Sequence, residues 1–109
     1  MTFDEYQAAA MRTARRRDDK DELIHLVLGL VGESGEIAEK FKKWVRDQDS
    51  DESRLDVADI KKELGDVLWY IAVLAHYLGV GFDDVAALNI AKLADRQQRG
   101  VLKGSGDNR

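Results

Sequence analysis

The chain has 109 residues, 44 % hydrophobic and 35 % charged, with net charge −4 and neither cysteine nor proline. That suits one domain spanning residues 1–109 and excludes disulfides, thiolate metal sites and a membrane span; the acidic balance also argues against a dedicated nucleic-acid binder. The acidic start, Met1-Thr2-Phe3-Asp4-Glu5, lacks a signal-peptide pattern, so a cytoplasmic setting is expected.

Without proline, helices can run long. The first is expected to open on a capping box, with Thr2 as N-cap and Glu5 three residues later, and to run to about Arg17 with a narrow face of Tyr6, Ala9, Ala10, Thr13 and Ala14. The basic triplet Arg15-Arg16-Arg17 is followed by Asp18, Asp19, Asp21 and Glu22, so local pairing accounts for it. A second helix begins near Asp21 and ends near Arg46 or Asp47. Leu23, Leu26, Val27, Leu30, Ile37, Phe41, Trp44 and Val45 fall on one of its faces at helical spacing. Gly29, Gly32 and Gly35 lie inside it, each costing about 1 kcal/mol relative to alanine. Close approach of another backbone or a bulky ligand would explain them, and a break in the helix is the alternative.

Residues 47–54 read as a loop. A third helix runs from about Leu55 to Leu78, with Val57, Ile60, Leu64, Val67, Leu68, Ile71, Leu74, Ala75 and Leu78 as its buried stripe, and stops at Gly79. The short Gly79-Val80-Gly81 link predicts that a fourth helix turns back antiparallel. It starts near Phe82, carries Asp83 and Asp84 in its first turn, and runs through Val85, Leu88, Ala91 and Leu93 to about Gln98. The tail, Val101 to Arg109, is loop-like and flexible if left alone. The expected architecture is all-α, a four-helix bundle-like core.

One short pattern occurs twice: Glu33-Ser34-Gly35-Glu36 and Glu63-Leu64-Gly65-Asp66. Acids three apart share a helix side, roughly 5–6 Å between Cβ atoms. At 100° per residue, Glu33 borders the apolar stripe of the second helix and Glu63 that of the third, with Glu36 and Asp66 one step further round. Two such helices side by side cluster four carboxylates, which resist joint ionisation unless cations neutralise them. Oxygen donors without thiolates specify a hard cation, Mg²⁺ first with Mn²⁺ as a substitute, and Mg²⁺ commonly shares its shell with phosphates. A polyphosphate substrate follows. The plain alternative is that the acids only solubilise a bundle. A di-iron bundle needs two Glu-x-x-His motifs; only Glu22-Leu23-Ile24-His25 is present, and Val73 stands at the matching position before His76.

In these residues the sequence resembles the MazG-like nucleoside triphosphate pyrophosphohydrolases, the all-α NTP pyrophosphatase superfamily. Its signature, E-x-x-E then E-x-x-D, is matched by Glu33/Glu36 and Glu63/Asp66 with 26 residues between the pairs. The likeness extends to Gly29-Leu30-Val31-Gly32 before the first pair and Glu39-Lys40-Phe41-Lys42-Lys43 after it, to Lys61-Lys62 and Val67-Leu68-Trp69-Tyr70 around the second pair, to Asn89-Ile90-Ala91-Lys92-Leu93, Arg96, and the end Gly104-Ser105-Gly106-Asp107-Asn108-Arg109. The resemblance implies Mg²⁺-dependent hydrolysis of a nucleoside triphosphate to the monophosphate and pyrophosphate, in nucleotide-pool house-cleaning. It implies Glu33, Glu36, Glu63 and Asp66 as metal ligands, Asn89 and Lys92 as nucleotide contacts, and Arg96 and Arg109 as further phosphate contacts. Glu33 or Glu36 would orient the attacking water. Some members carry another acid just before the first motif, where this chain has Gly32.

Trp44 or Trp69 is available to stack on a base, although Trp44 suits the core better and Trp69 lies off the stripe. Four short helices that also host a charged cluster bury little surface, so a homodimer or homotetramer joined through helix faces is expected, as the resemblance also implies. The competing reading is a non-catalytic helical module that binds a metal, a nucleotide or a protein partner.

Overall fold

The computed structural model describes residues 1–15 and 20–108. Among them are four α-helices and no strand: α1 Phe3–Ala10, α2 Lys20–Gln48, α3 Val57–Tyr77 and α4 Phe82–Arg99. The expected capping box forms at α1, with Glu5 N donating to Thr2 Oγ1 and Thr2 N to Glu5 Oε1, both at 3.0 Å. α1 ends earlier than the sequence predicts. A tight turn over Met11–Thr13 replaces its last part, and the Thr13 hydroxyl donates to the Ala10 carbonyl at 3.0 Å. Such local side-chain bonds compete with helix continuation. The predicted end at Arg17 and the pairing of Arg16 and Arg17 with Asp18 and Asp19 lie outside the described residues.

α2 and α3 form an antiparallel hairpin whose register follows from three facing pairs. Gly29 faces Tyr70, Glu33 meets Asp66, and Lys40 pairs with Asp59. Each step forward along α2 is matched by an equal step back along α3. Gly29 is required here. A Cβ at that position would lie 2.1 Å from Tyr70 Cε1, so the close approach is made by an aromatic ring. Nothing comes within 4 Å of a Cβ at Gly32 or Gly35, and α2 continues unbroken through both. Beyond Gln48, Asp49 and Ser50 take left-handed φ values of 53° and 56°. The loop is pinned by the Trp44 indole N–H on the Asp51 carbonyl at 2.8 Å. Asp56 then caps α3 by accepting from Asp59 N at 3.0 Å.

The fourth helix departs from expectation. It leaves α3 through a 105° bend, nearer a right angle than an antiparallel return. Gly79, at φ 75°, and the chain after it set this corner, and Gln7 of α1 fastens it. The buried Gln7 amide donates to the Ala72 and Val80 carbonyls at 3.0 and 3.1 Å and accepts from Phe82 N at 3.2 Å. The N-termini of α1 and α4 also cap each other. Asp4 accepts from Asp83 N at 2.9 Å, and Asp83 accepts from Phe3 N at 3.1 Å. These bonds direct α4 across α1 and away from the hairpin. As a result the apolar residues Val85, Leu88 and Leu93 are exposed, and only Phe82 and Arg96 of α4 are buried.

The core sits where α1, the first half of α2 and the second half of α3 meet: Ala10, Leu26, Ala72, Val73 and Phe82, with Tyr6, Leu68, Trp69 and Tyr70 packed around them. Trp69 thus supports the core from the α1 side, off the predicted stripe. The radius of gyration is 16.9 Å, against about 13 Å for a compact chain of this length. No single helix among the described residues is long and apolar enough to cross a membrane.

Candidate metal centre

The antiparallel register brings the two acidic motifs together at the middle of the α2–α3 seam. Glu33, Glu63 and Asp66 each offer a carboxylate oxygen, and these lie within 4.8 Å of one another. Three hard oxygen donors at that separation, with no thiolate or imidazole among them, fit a divalent cation such as Mg²⁺ or Mn²⁺. Glu33 and Glu63 are half-buried and Asp66 is exposed, so the group opens to solvent on one side.

The electrostatics agree with the crowding. The Glu33 carboxyl is held above the ordinary carboxylate range, first by burial, then by the charges of Asp66, Glu63 and Glu36, and by a hydrogen bond with Glu63. Glu36 does not join the group of three; it is exposed, and it acts on Glu33 as a neighbouring charge. On α1, burial and then the charge of Asp66 raise the Tyr6 phenol above its ordinary value.

Lys40, part of the segment that follows the first acidic pair but given no role from the sequence, borders the same site. Its ammonium bonds Asp59 and lies 3.7 Å from Glu63 Oε1. The signal was legible, because Lys40 stands one turn beyond Glu36 on the inner face of α2. Recognising it needed the hairpin register. The Asp59 hydrogen bond, followed by burial working the other way and by the charges of Asp59 and Glu63, leaves Lys40 with a raised pKa and hence cationic.

The basic residues of α4 are elsewhere. At 1.5 Å per residue, Asp66 lies about 20 Å along α3 from the corner and Lys92 about 16 Å along α4, so the 105° bend leaves about 22 Å between those points on the two helix axes. Asn89 is exposed on the same arm. Arg96 is buried, its guanidinium donating to the Asp107 carbonyl at 2.7 Å, while Asp107 Oδ1 lies 3.2 Å from Lys92 Nζ and 3.5 Å from Arg96. The Lys92 hydrogen bond leads the causes that hold the Asp107 carboxyl below its ordinary range. The tail is therefore folded back on α4 by an acid–base tether, with Arg96 as its buried anchor. Arg109 lies outside the described residues.

Both histidines are exposed, and His25 Nδ1 approaches the buried Glu22 at 3.9 Å.

Residues 21–101 match the model of the MazG nucleotide pyrophosphohydrolase domain, a span that holds both acidic motifs, Lys40 and all of α4. The chain is also similar to the gene 37 protein of Mycobacterium phage L5, with 46 % identity over 114 residues that take in the whole of both chains. No solved structure matches it.

Proposed function

Since the chain belongs to the MazG nucleotide pyrophosphohydrolase domain family, we propose that it hydrolyses a nucleoside triphosphate, with Mg²⁺, to the monophosphate and pyrophosphate. The observation that carries this reading is the meeting of Glu33, Glu63 and Asp66 within 4.8 Å at the hairpin seam, inside the matched span.

Glu33, Glu63 and Asp66 would hold the cation, which would supply charge neutralisation and polarisation of the α-phosphoryl group. Glu36, outside that group and open to solvent, orients the attacking water and accepts its proton. The water oxygen bonds to the α-phosphorus as the bond to the bridging oxygen breaks, and the bridging oxygen leaves with pyrophosphate. Protein groups here do little covalent work; they position and compensate charge. Clearing unwanted nucleotides from the cytoplasmic pool is the role we assign to this reaction.

A second copy completes the enzyme. Val27, Leu28, Leu64 and Leu78 leave an apolar face exposed on the hairpin, which one further hairpin of the same kind would cover as a four-helix bundle. Asn89 and Lys92 are proposed to reach the acids from the second copy's α4, since within one chain the two helix axes are about 22 Å apart at Asp66 and Lys92. Arg96 supports this contact through the tail, and Arg109 is a further phosphate contact.

The test is pyrophosphate release over a panel of normal and modified ribo- and deoxyribonucleoside triphosphates with Mg²⁺. Equal yields of monophosphate and pyrophosphate, absent in Asp66→Asn, are expected. A folded protein inert towards the whole panel would instead favour a non-catalytic binding module.

A further inference from the structure

The acids lie between two unlike clefts along the seam, each of about 220 Å³. Towards the α2–α3 loop, one turn beyond Glu36, Lys40, Lys43 and Arg54 edge a cleft with Trp44, Leu55 and Ile60 in its wall. In the other direction, one turn beyond Asp66, the second cleft is lined by Tyr70 and Trp69 with Thr13, His25 and Leu26. The Trp69 and Tyr70 rings meet edge to face, 5.0 Å between centroids, and the Trp69 indole N–H is held by Thr13 Oγ1 at 2.9 Å. The first cleft carries three cations with Asp47, Asp56 and Asp59 beside them and no aromatic ring pair, whereas the second sets fixed aromatic surface beside Arg15 and Glu22.

A nucleoside triphosphate cut at its α-phosphorus also has two unlike ends. The pyrophosphate end is compact and strongly anionic, suited to Lys and Arg. The nucleoside end is flat and stacks on aromatic rings. We infer that the substrate lies along the seam in one direction, with its β- and γ-phosphates towards Lys40, Lys43 and Arg54 and its nucleoside in the Trp69–Tyr70 cleft. This rests on the pyrophosphohydrolase reading above and adds an orientation to it. When the bond between α-phosphorus and bridging oxygen breaks, its electron pair leaves with pyrophosphate, so new negative charge develops on the Lys40 side. Lys40, positioned by Asp59 and beside Glu63, meets that charge.

Product inhibition separates the two ends. Inorganic pyrophosphate and the nucleoside monophosphate of the best substrate are titrated as inhibitors of the full-length enzyme with Mg²⁺. The Lys43→Ala/Arg54→Ala double variant should raise the inhibition constant for pyrophosphate about tenfold and leave that for the monophosphate unchanged. His25→Ala combined with Trp69→Phe should do the converse, and helical circular dichroism checks that each variant is folded. An active wild type whose pyrophosphate inhibition is indifferent to Lys43 and Arg54, or whose two products respond together, overturns the orientation. A wild type that releases no pyrophosphate from any triphosphate overturns the underlying reading instead.

Discussion

Gly29 and Gly32 sit one turn apart in the same helix, yet alanine should act oppositely at the two. At Gly29 the new methyl would enter the Tyr70 ring, and displacing a packed aromatic is expected to lower stability by about 1–3 kcal/mol. At Gly32 the methyl meets nothing, and the gain in helix propensity should raise stability by up to about 1 kcal/mol. Urea unfolding of the two variants reads both signs. The acids are open to a test that needs no turnover. Mn²⁺ should raise the melting temperature of the wild type, because a ligand that binds only the folded state stabilises it. Glu63→Gln and Asp66→Asn should lose that rise, whereas Glu36→Gln, outside the group of three, should keep most of it while losing activity.

At the scale of elements, the tail is a pH-dependent attachment. Asp107 has a folded-state pKa lowered below its ordinary 3.8 by Lys92 first and then Arg96. A lowered acid contributes stability above its unfolded value and loses that contribution as pH falls through the folded value. The tether should therefore be complete above pH 3.8 and release below it, seen as resonances of residues 101–108 moving to disordered positions ahead of global unfolding. Asp107→Ala should show a looser tail at every pH and no such step. Helices were the most legible part of the sequence, because apolar spacing, the Thr2–Glu5 box and Gly79 after α3 are all local signals. The corner between α3 and α4 was not legible. It depends on Gln7 bonding residues far along the chain, and on Asp4 and Asp83 capping each other's helices. The acidic cluster was legible as two motifs at the edges of apolar stripes. Which three of the four acids converge, and that Lys40 stands beside them, depended on the hairpin register.

The whole molecule is extended for its size and exposes apolar residues on its longest helices. The wild type should sediment as a dimer or tetramer at micromolar concentration, and Val27→Glu with Leu64→Glu should shift it towards monomer; a folded wild-type monomer would count against assembly through this face. Sharing of the site between copies is open to a mixing experiment. Asp66→Asn and Lys92→Ala should each be inactive, and remixing them through dissociation should restore about a quarter of wild-type activity, from one intact site in the hybrid half of the dimers. If α4 served its own chain's acids, no activity would return. The hairpin register finally constrains how such a chain can change length. One residue inserted in α2 between Gly29 and Lys40 would rotate everything beyond it by about 100°, carrying the acids or Lys40 beyond it off the seam while Gly29 stayed under the Tyr70 ring. Residues added between Gln48 and Asp56 lengthen only the connection and leave every facing pair in place. Length variation among functional descendants should therefore collect in that loop, with the two helical arms free of gaps.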